Sequence, residues 1–342
     1  MRRFWIWGAL SLVAASCVAA PVAAPTGANV GGRVVVQGDG AMRFGWPAIY
    51  FEQRFRGTGV TASVETASEI FRLYVDGKDR GVLRPGSLTL KVSGLAQGEH
   101  VARLEKLTES QSGGAVFRGF VFDGVALPTP QRAKRVEFIG DSHSAGYGNT
   151  SPTRTCTSQE VHDTTDTQQA FGPLVAKRLD AEYRVNAYSG AGIVRNYNGA
   201  APEQNLPILY ARAIPGEPGV AAADTEWRPQ VIVIKLGSND FSTPLHAGEK
   251  WADQAALHAD YRASYSAFLA KLAAAQPQAH FVLIASDPFL EDVQDVAKRS
   301  GRDDVIVLRA VDMEVTGCDW HPSLRDHRQL ADQVEQAIAK LR

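Results

Sequence analysis

Cysteine is scarce in this sequence, with three in 342 residues. That is too few for a disulfide framework or a Cys-rich zinc module. Charge of one sign is missing as well. Lys and Arg total 36 against 37 Asp and Glu, a formal net charge of −1. A balanced chain argues against a nucleic-acid binder that works through a basic field. Long apolar runs are absent beyond the N-terminus, which excludes a multi-span membrane protein. What is present is globular: 44% of residues are hydrophobic and 21% charged, ample for a sizeable core. At roughly 150 residues per domain, the length suggests two domains.

The first 24 residues read as a secretory signal. Arg2 and Arg3 supply a positive start, an apolar stretch runs from Phe4 to about Val13, and small residues follow. A membrane anchor would need roughly 20 apolar residues. Cys17 follows Ala-Ala-Ser, a weak likeness to a lipoprotein cleavage site and the lesser reading. The protein is therefore expected outside the cytoplasm, periplasmic or extracellular. The mature chain then keeps only Cys156 and Cys318, and two thiols in an oxidising compartment suggest a single disulfide.

Two periodicities divide the rest. Residues 25–127 read as short strands. Ile70–Asp76 alternates apolar and polar residues and ends at Asp76-Gly77, a hairpin signal. Close strand spacing with Gly-rich breaks predicts a β-sandwich of jelly-roll type. Leu127-Pro-Thr-Pro130 reads as a stiff linker, placed at 128–133. From 134 to 342, buried strands at Val136–Ile139, Tyr183–Ala187, Val231–Leu236, His280–Ala285 and Val305–Leu308 alternate with amphipathic helices. This predicts a three-layer α/β domain on a parallel sheet. Sites in such sheets form at the carboxyl ends of strands.

Four loops there carry chemistry. Gly140-Asp141-Ser142-His143 places a serine on a Gly-flanked turn, where it could be a nucleophile or a simple helix cap. Ser189-Gly190-Ala191-Gly192 allows a backbone N–H to face an oxyanion. Gly237-Ser238-Asn239-Asp240 offers an amide donor, or an ordinary Asx turn. Cys318-Asp319-Trp320-His321-Pro322 offers a base of near-neutral pKa. Residues two apart in an extended segment face the same side, so Asp319 is expected to reach the His321 ring. Ser323-Leu-Arg-Asp326 has the form of a capping box opening the last helix.

In this order the four loops resemble the SGNH hydrolase superfamily, over roughly Lys134–Arg342. Its blocks are G-D-S, a glycine after the next strand, G-x-N-D, and a C-terminal D-x-x-H. The stretches G-D-S-H-S-A-G-Y-G-N, G-S-N-D-F-S and C-D-W-H-P-S, behind a β-sandwich, are similar to carbohydrate esterase family 2. That family removes acetyl groups from plant polysaccharides such as xylan and glucomannan. The resemblance implies Ser142 as nucleophile and His321 as base. It also implies an oxyanion hole from the N–H groups of Ser142 and Gly190 with the Asn239 amide, Gly192 being the alternative donor. No cofactor or metal is implied, and the expected partner is an acetylated polysaccharide or oligosaccharide. One departure matters: Asp319 lies two residues before His321 instead of three, so a backbone carbonyl is the alternative orienter.

Trp320 and Phe241 are candidates for a sugar-binding wall, with local packing as the other reading. His143 is adjacent to Ser142 on a tight turn and is a poor base. His162, His246, His258 and His327 lack motif context and are expected at the surface. Asp141 and Asp240 are expected to bond backbone groups. Other readings of function are a general lipase or thioesterase, and a carbohydrate-binding protein with a secondary esterase site.

Overall fold

The computed structural model describes residues 28–341, except 87–88, 112–113, 224–225 and 311–312. The expected signal 1–24, with Cys17, lies outside the described residues.

The N-terminal part is antiparallel β structure. Its strands are β1 (Asn29–Gly31), β2 (Val35–Val36), β3 (Met42–Phe44), β4 (Tyr50–Thr66), β5 (Phe71–Val75), β6 (Lys78–Leu83), β7 (Thr89–Val92), β8 (Gly98–Lys106) and β9 (Ala115–Leu127). They form one network in the order β2-β3-β9-β4-β8-β5-β6, with β1 and β7 also on β4. Strand β4 makes this possible. Its first half bonds β8, residues 60–63 bond β7, and β9 follows along it, with register shifts at Gly57/Val60 and Ser63/Val64 that let the long strand bend. The alternation of the sequence becomes burial: Phe71, Leu73 and Val75 point inward and Arg72 and Tyr74 are half-buried. Asp76 and Gly77 both have positive φ, as the two-residue hairpin between β5 and β6 requires.

The C-terminal part is a five-stranded parallel sheet. Strands β10 (Lys134–Gly140), β11 (Ala181–Ala187), β12 (Val231–Lys235), β13 (His280–Ala285) and β14 (Val305–Arg309) lie in the order β11-β10-β12-β13-β14. Helices α3 (Phe171–Arg178) and α8 (Leu324–Ala339) cover one face, packing on Val136, Phe138, Val233 and Ile284. Helices α6 (Gln254–Ala275) and α7 (Leu290–Arg299) cover the other, on Ile139, Ile232, Ile234 and Leu283. Successive residues of one strand feed opposite faces, which explains why these strands are apolar throughout. Short helices α1 (Ser142–Ala145), α2 (Ser158–Thr164), α4 (Leu206–Leu209) and α5 (Ser238–Phe241) occupy the loops at the strand ends.

Polar contacts join the two parts. Thr167 donates to the Leu107 carbonyl, and Gln168 to those of Ala48 and Lys106. The Tyr50 hydroxyl bonds Glu182. Arg103, stacked on the Tyr50 ring, pairs with Glu52 and Glu105 and reaches the Tyr183 hydroxyl. The proline-rich connection lies along β4, with the Thr129 hydroxyl accepting from the Arg54 amide at 2.8 Å. It is held against the protein, not hung between two bodies.

Candidate active site

Strand β10 ends at Gly140, where a side chain has no room: a Cβ there would lie 2.0 Å from the Ser144 hydroxyl. The chain then turns at once into α1. Asp141 caps that turn, accepting from the His143 amide at 3.0 Å. Ser142 is thus the first residue of a one-turn helix at a strand end, its hydroxyl at the bottom of a cleft.

His321 comes to it from the far end of the chain. Its Nε2 lies 2.8 Å from Ser142 Oγ. Its Nδ1 faces two carbonyls, Cys318 at 3.0 Å and Asp319 at 3.1 Å. A carbonyl can only accept, so Nδ1 carries the proton and Nε2 presents its lone pair to the hydroxyl. Burial pushes the His321 pKa below the ordinary histidine value; the Cys318 carbonyl, the Asp141 charge and the Asp319 backbone and carboxylate oppose this.

The Asp319 carboxylate is elsewhere. It accepts from the Tyr147 hydroxyl at 3.0 Å, and the Tyr147 ring lies 4.3 Å from that of His321. The expected carboxylate–imidazole bond is not formed, because the segment is not extended. Asp319 has φ 50° and Trp320 φ 63°, so the alternation that would place Asp319 beside His321 does not apply. Burial and the neighbouring Asp319 raise the Tyr147 pKa to about 12. Tyr147 therefore stays a neutral donor. It is absent from the candidates named above. Its position in Gly146-Tyr147-Gly148 was visible, but its partner, 172 residues away, was not.

Two left-handed residues in a row need support. The Cys156–Cys318 disulfide joins the segment after Ser142 to this loop. The Gly317 amide donates to the His321 carbonyl at 2.9 Å, and the Asp319 amide to that of Arg154 at 2.7 Å. Arg154 stacks on Trp320 at 4.2 Å and bonds the Val315 and Glu314 carbonyls. Gly148 has φ 55°, and a Cβ there would come 2.4 Å from Cys318 Cβ. Downstream, Ser323 and Asp326 form the capping box of α8.

Ser142, His321, Gly190, Asn239, Tyr147 and Trp320 line one cavity of about 500 Å³. The Asn239 amide donates to the Ala191 carbonyl at 2.9 Å, which leaves its second hydrogen available. The Gly192 amide is occupied by Asn196 at 3.0 Å, whereas Gly190 faces the cavity. Asp240 accepts from the Ile193, Val194 and Arg195 amides at 2.9–3.0 Å, holding that loop; burial raises its pKa to about 6. Trp320 is 65% exposed at the cavity rim.

Four expectations differ. Phe241 is not at the cavity; it stacks on His258 at 4.3 Å and packs on Tyr261 and Phe289, since α5 turns it toward α6. His327 is buried, not at the surface: it faces α3, where its Nδ1 accepts the Phe171 amide at 3.2 Å. His258 and His162 are half-buried and bond Asp292 and Asp163. His143 lies under the site, its Nδ1 taking a bond from buried Lys235 at 2.8 Å. Burial and that ammonium hold it neutral.

Comparison with known proteins shows the family. Residues 30–130 match the carbohydrate esterase 2 N-terminal family, and residues 138–341 the GDSL-like lipase/acylhydrolase family. An acetylxylan esterase / glucomannan deacetylase of Cellvibrio japonicus is 43% identical over 337 residues, 94% of this chain and 93% of that one. The chain belongs to carbohydrate esterase family 2. It is a carboxylic ester hydrolase with an all-β unit before a GDSL-type α/β domain. A solved carbohydrate esterase described as having divergent catalytic and non-catalytic binding functions superposes with TM-score 0.87 at 41% identity, over 92% of this chain and 98% of that one. The family 2 esterase of Clostridium thermocellum in complex with cellohexaose gives 0.80 at 28% identity, over 92% and 98%.

The disulfide joins residues 162 apart in the chain and ties the segment after Ser142 to the loop that leads into His321. Replacing both cysteines with serine should cost about 2–5 kcal/mol in urea unfolding. Thiol labelling of the denatured, unreduced protein should find neither Cys156 nor Cys318. Stoichiometric labelling of both would contradict the bridge.

Proposed function

We propose that this carbohydrate esterase is exported and removes O-acetyl groups from acetylated xylan or glucomannan through an acetyl-enzyme on Ser142. The observation that carries this is the 2.8 Å contact between His321 Nε2 and Ser142 Oγ, beneath an open cavity. The named activity of the Cellvibrio japonicus relative indicates the substrate class.

In this reading, His321 takes the Ser142 proton as Oγ attacks the acetyl carbonyl. The oxygen that becomes negative is received by the Ser142 and Gly190 N–H groups and the free Asn239 hydrogen. His321 then gives the proton to the departing sugar hydroxyl, and water repeats the sequence in reverse to release acetate. The carbonyls of Cys318 and Asp319 orient the ring, a task assigned from sequence to the Asp319 carboxylate. That carboxylate instead fixes Tyr147 against the imidazole. Trp320 offers an aromatic face at the rim for a sugar ring. The disulfide fits an oxidising compartment, and among the described residues no helix is long and apolar enough to cross a membrane.

Two outcomes test this mechanism. Ser142→Ala and His321→Ala should each lose acetate release from acetylated glucomannan by at least about 10³-fold. Asp319→Asn should lose less than about tenfold, because the ring keeps both carbonyl partners. A hundredfold loss in Asp319→Asn with a parental melting temperature would restore a carboxylate role.

The pH profile supplies another. His321 must be unprotonated to act, and burial lowers its pKa. The active form therefore persists below the ordinary histidine value of about 6.5. kcat/KM should stay level as pH falls to that value and decline only beneath it. An acidic limb centred above it would contradict the desolvated dyad.

A further inference from the structure

The loop that carries Gly190 is held by the other domain. Beyond β8 the chain crosses to the loop after β11. There Glu109 accepts from the Ser189 amide at 2.7 Å and also from the Ser189 hydroxyl. Gln111 Nε2 donates to the Ser189 carbonyl at 3.0 Å, and the Gln111 carbonyl accepts from the Tyr188 hydroxyl at 3.1 Å. Every polar group of Ser189 is thus engaged by the β domain.

The bond to the Ser189 carbonyl has a directional consequence. That carbonyl and the Gly190 N–H belong to one peptide plane, and a trans peptide points them in opposite directions. A donor gripping the carbonyl from the β domain turns the Gly190 N–H away from that domain. It also polarises the N–H, since bonds in series strengthen one another. The plane needs such a grip. Gly190 has φ 85° and nothing within 4 Å of where a Cβ would sit, so sterics alone do not stop it from swivelling. On its other side the Gly190 carbonyl is held by the Tyr197 amide at 2.8 Å.

We propose that Glu109 and Gln111 are positioning residues for the esterase reaction, locking the Ser189–Gly190 peptide so that its N–H serves as an oxyanion donor. The all-β unit would then be part of the catalytic apparatus, and the GDSL-type domain incomplete without it. This rests on the roles of Ser142 and Gly190 given above.

Gln111 is exposed and lines the Ser142 cavity. Gln111→Glu should fold with the donor replaced by an acceptor of the same shape, and Gln111→Met, which removes the donor without adding charge beside the oxyanion, must show the same losses. Glu109→Gln tests the second grip. With 4-nitrophenyl acetate and the full-length protein, Gln111→Glu should lower kcat about tenfold or more, as partial loss of one oxyanion donor does, with KM within about twofold. Inhibition by phenylboronic acid, whose adduct on Ser142 is tetrahedral, should weaken by the same factor. A merely structural residue would lower the active fraction and leave the boronate constant unchanged. If Glu109→Gln does not fold, the two Gln111 variants decide alone. A dead Ser142→Ala beside a Gln111→Glu protein with parental kcat, or with reduced kcat and parental boronate binding, would overturn the clamp by itself. A Ser142→Ala protein that still turns over would overturn the nucleophile assignment, and the clamp with it.

Discussion

The hydrogen bond between Ser142 and His321 joins residues 179 apart in the chain, and the surrounding structure is arranged around keeping that distance. On the serine side the means are rigid: a buried interior strand, a glycine that admits Ser144, and an aspartate cap. On the histidine side they are corrective. The loop places two non-glycine residues at positive φ, a conformation that costs of the order of 1 kcal/mol or more at each. A disulfide, backbone pairing across Gly317 and His321, and the capped start of α8 hold it there.

The same twist decides the electrostatics of the base. Carbonyl dipoles, not a carboxylate, face Nδ1. They fix the tautomer without placing a full negative charge on the ring. Burial then outweighs the groups that would stabilise the imidazolium and lowers the His321 pKa. The carboxylate that sequence logic assigns to the ring is used one contact further out, through the Tyr147 hydroxyl. Beneath the site, His143 and Lys235 pair with each other, so neither competes for Ser142.

The two parts of the molecule share buried apolar packing, with Ala48 and Tyr50 in one cluster with Val136 and Phe138, and polar, directional contacts are added along the seam. Thr167 and Gln168 tie the segment before α3 to β8, while Glu109 and Gln111 reach the loop after β11. Polar contacts of this kind fix orientation as well as proximity, because a hydrogen bond weakens steeply with angle. The apolar packing between the domains holds them together, but by itself it would leave a glycine peptide free to turn.

Much of this was legible in the residues. Short apolar runs marked all five parallel strands, since a strand buried on both faces admits little else. The order of Ser142, Gly190, Asn239 and His321 at their ends carried the family resemblance, and the fold brings all four to one cavity. Period-two alternation marked β5 and its hairpin for the same local reason. Most failures concern where a side chain goes once a loop leaves a regular period; His327 instead lies within α8, on the buried face it shares with Leu330, Ala331 and Val334. Asp319 was placed beside His321 on the assumption of an extended chain, which its positive φ breaks. Phe241 and His327 were judged without the helices that cover them. Glu109 and Gln111 sit in a loop of another domain and have no motif at all; only the docking of two sheets brings them to Ser189. Local periodicity is written in the order of residues, but the direction of a side chain in an irregular loop is set by contacts from distant segments, and those exist only after the chain has folded.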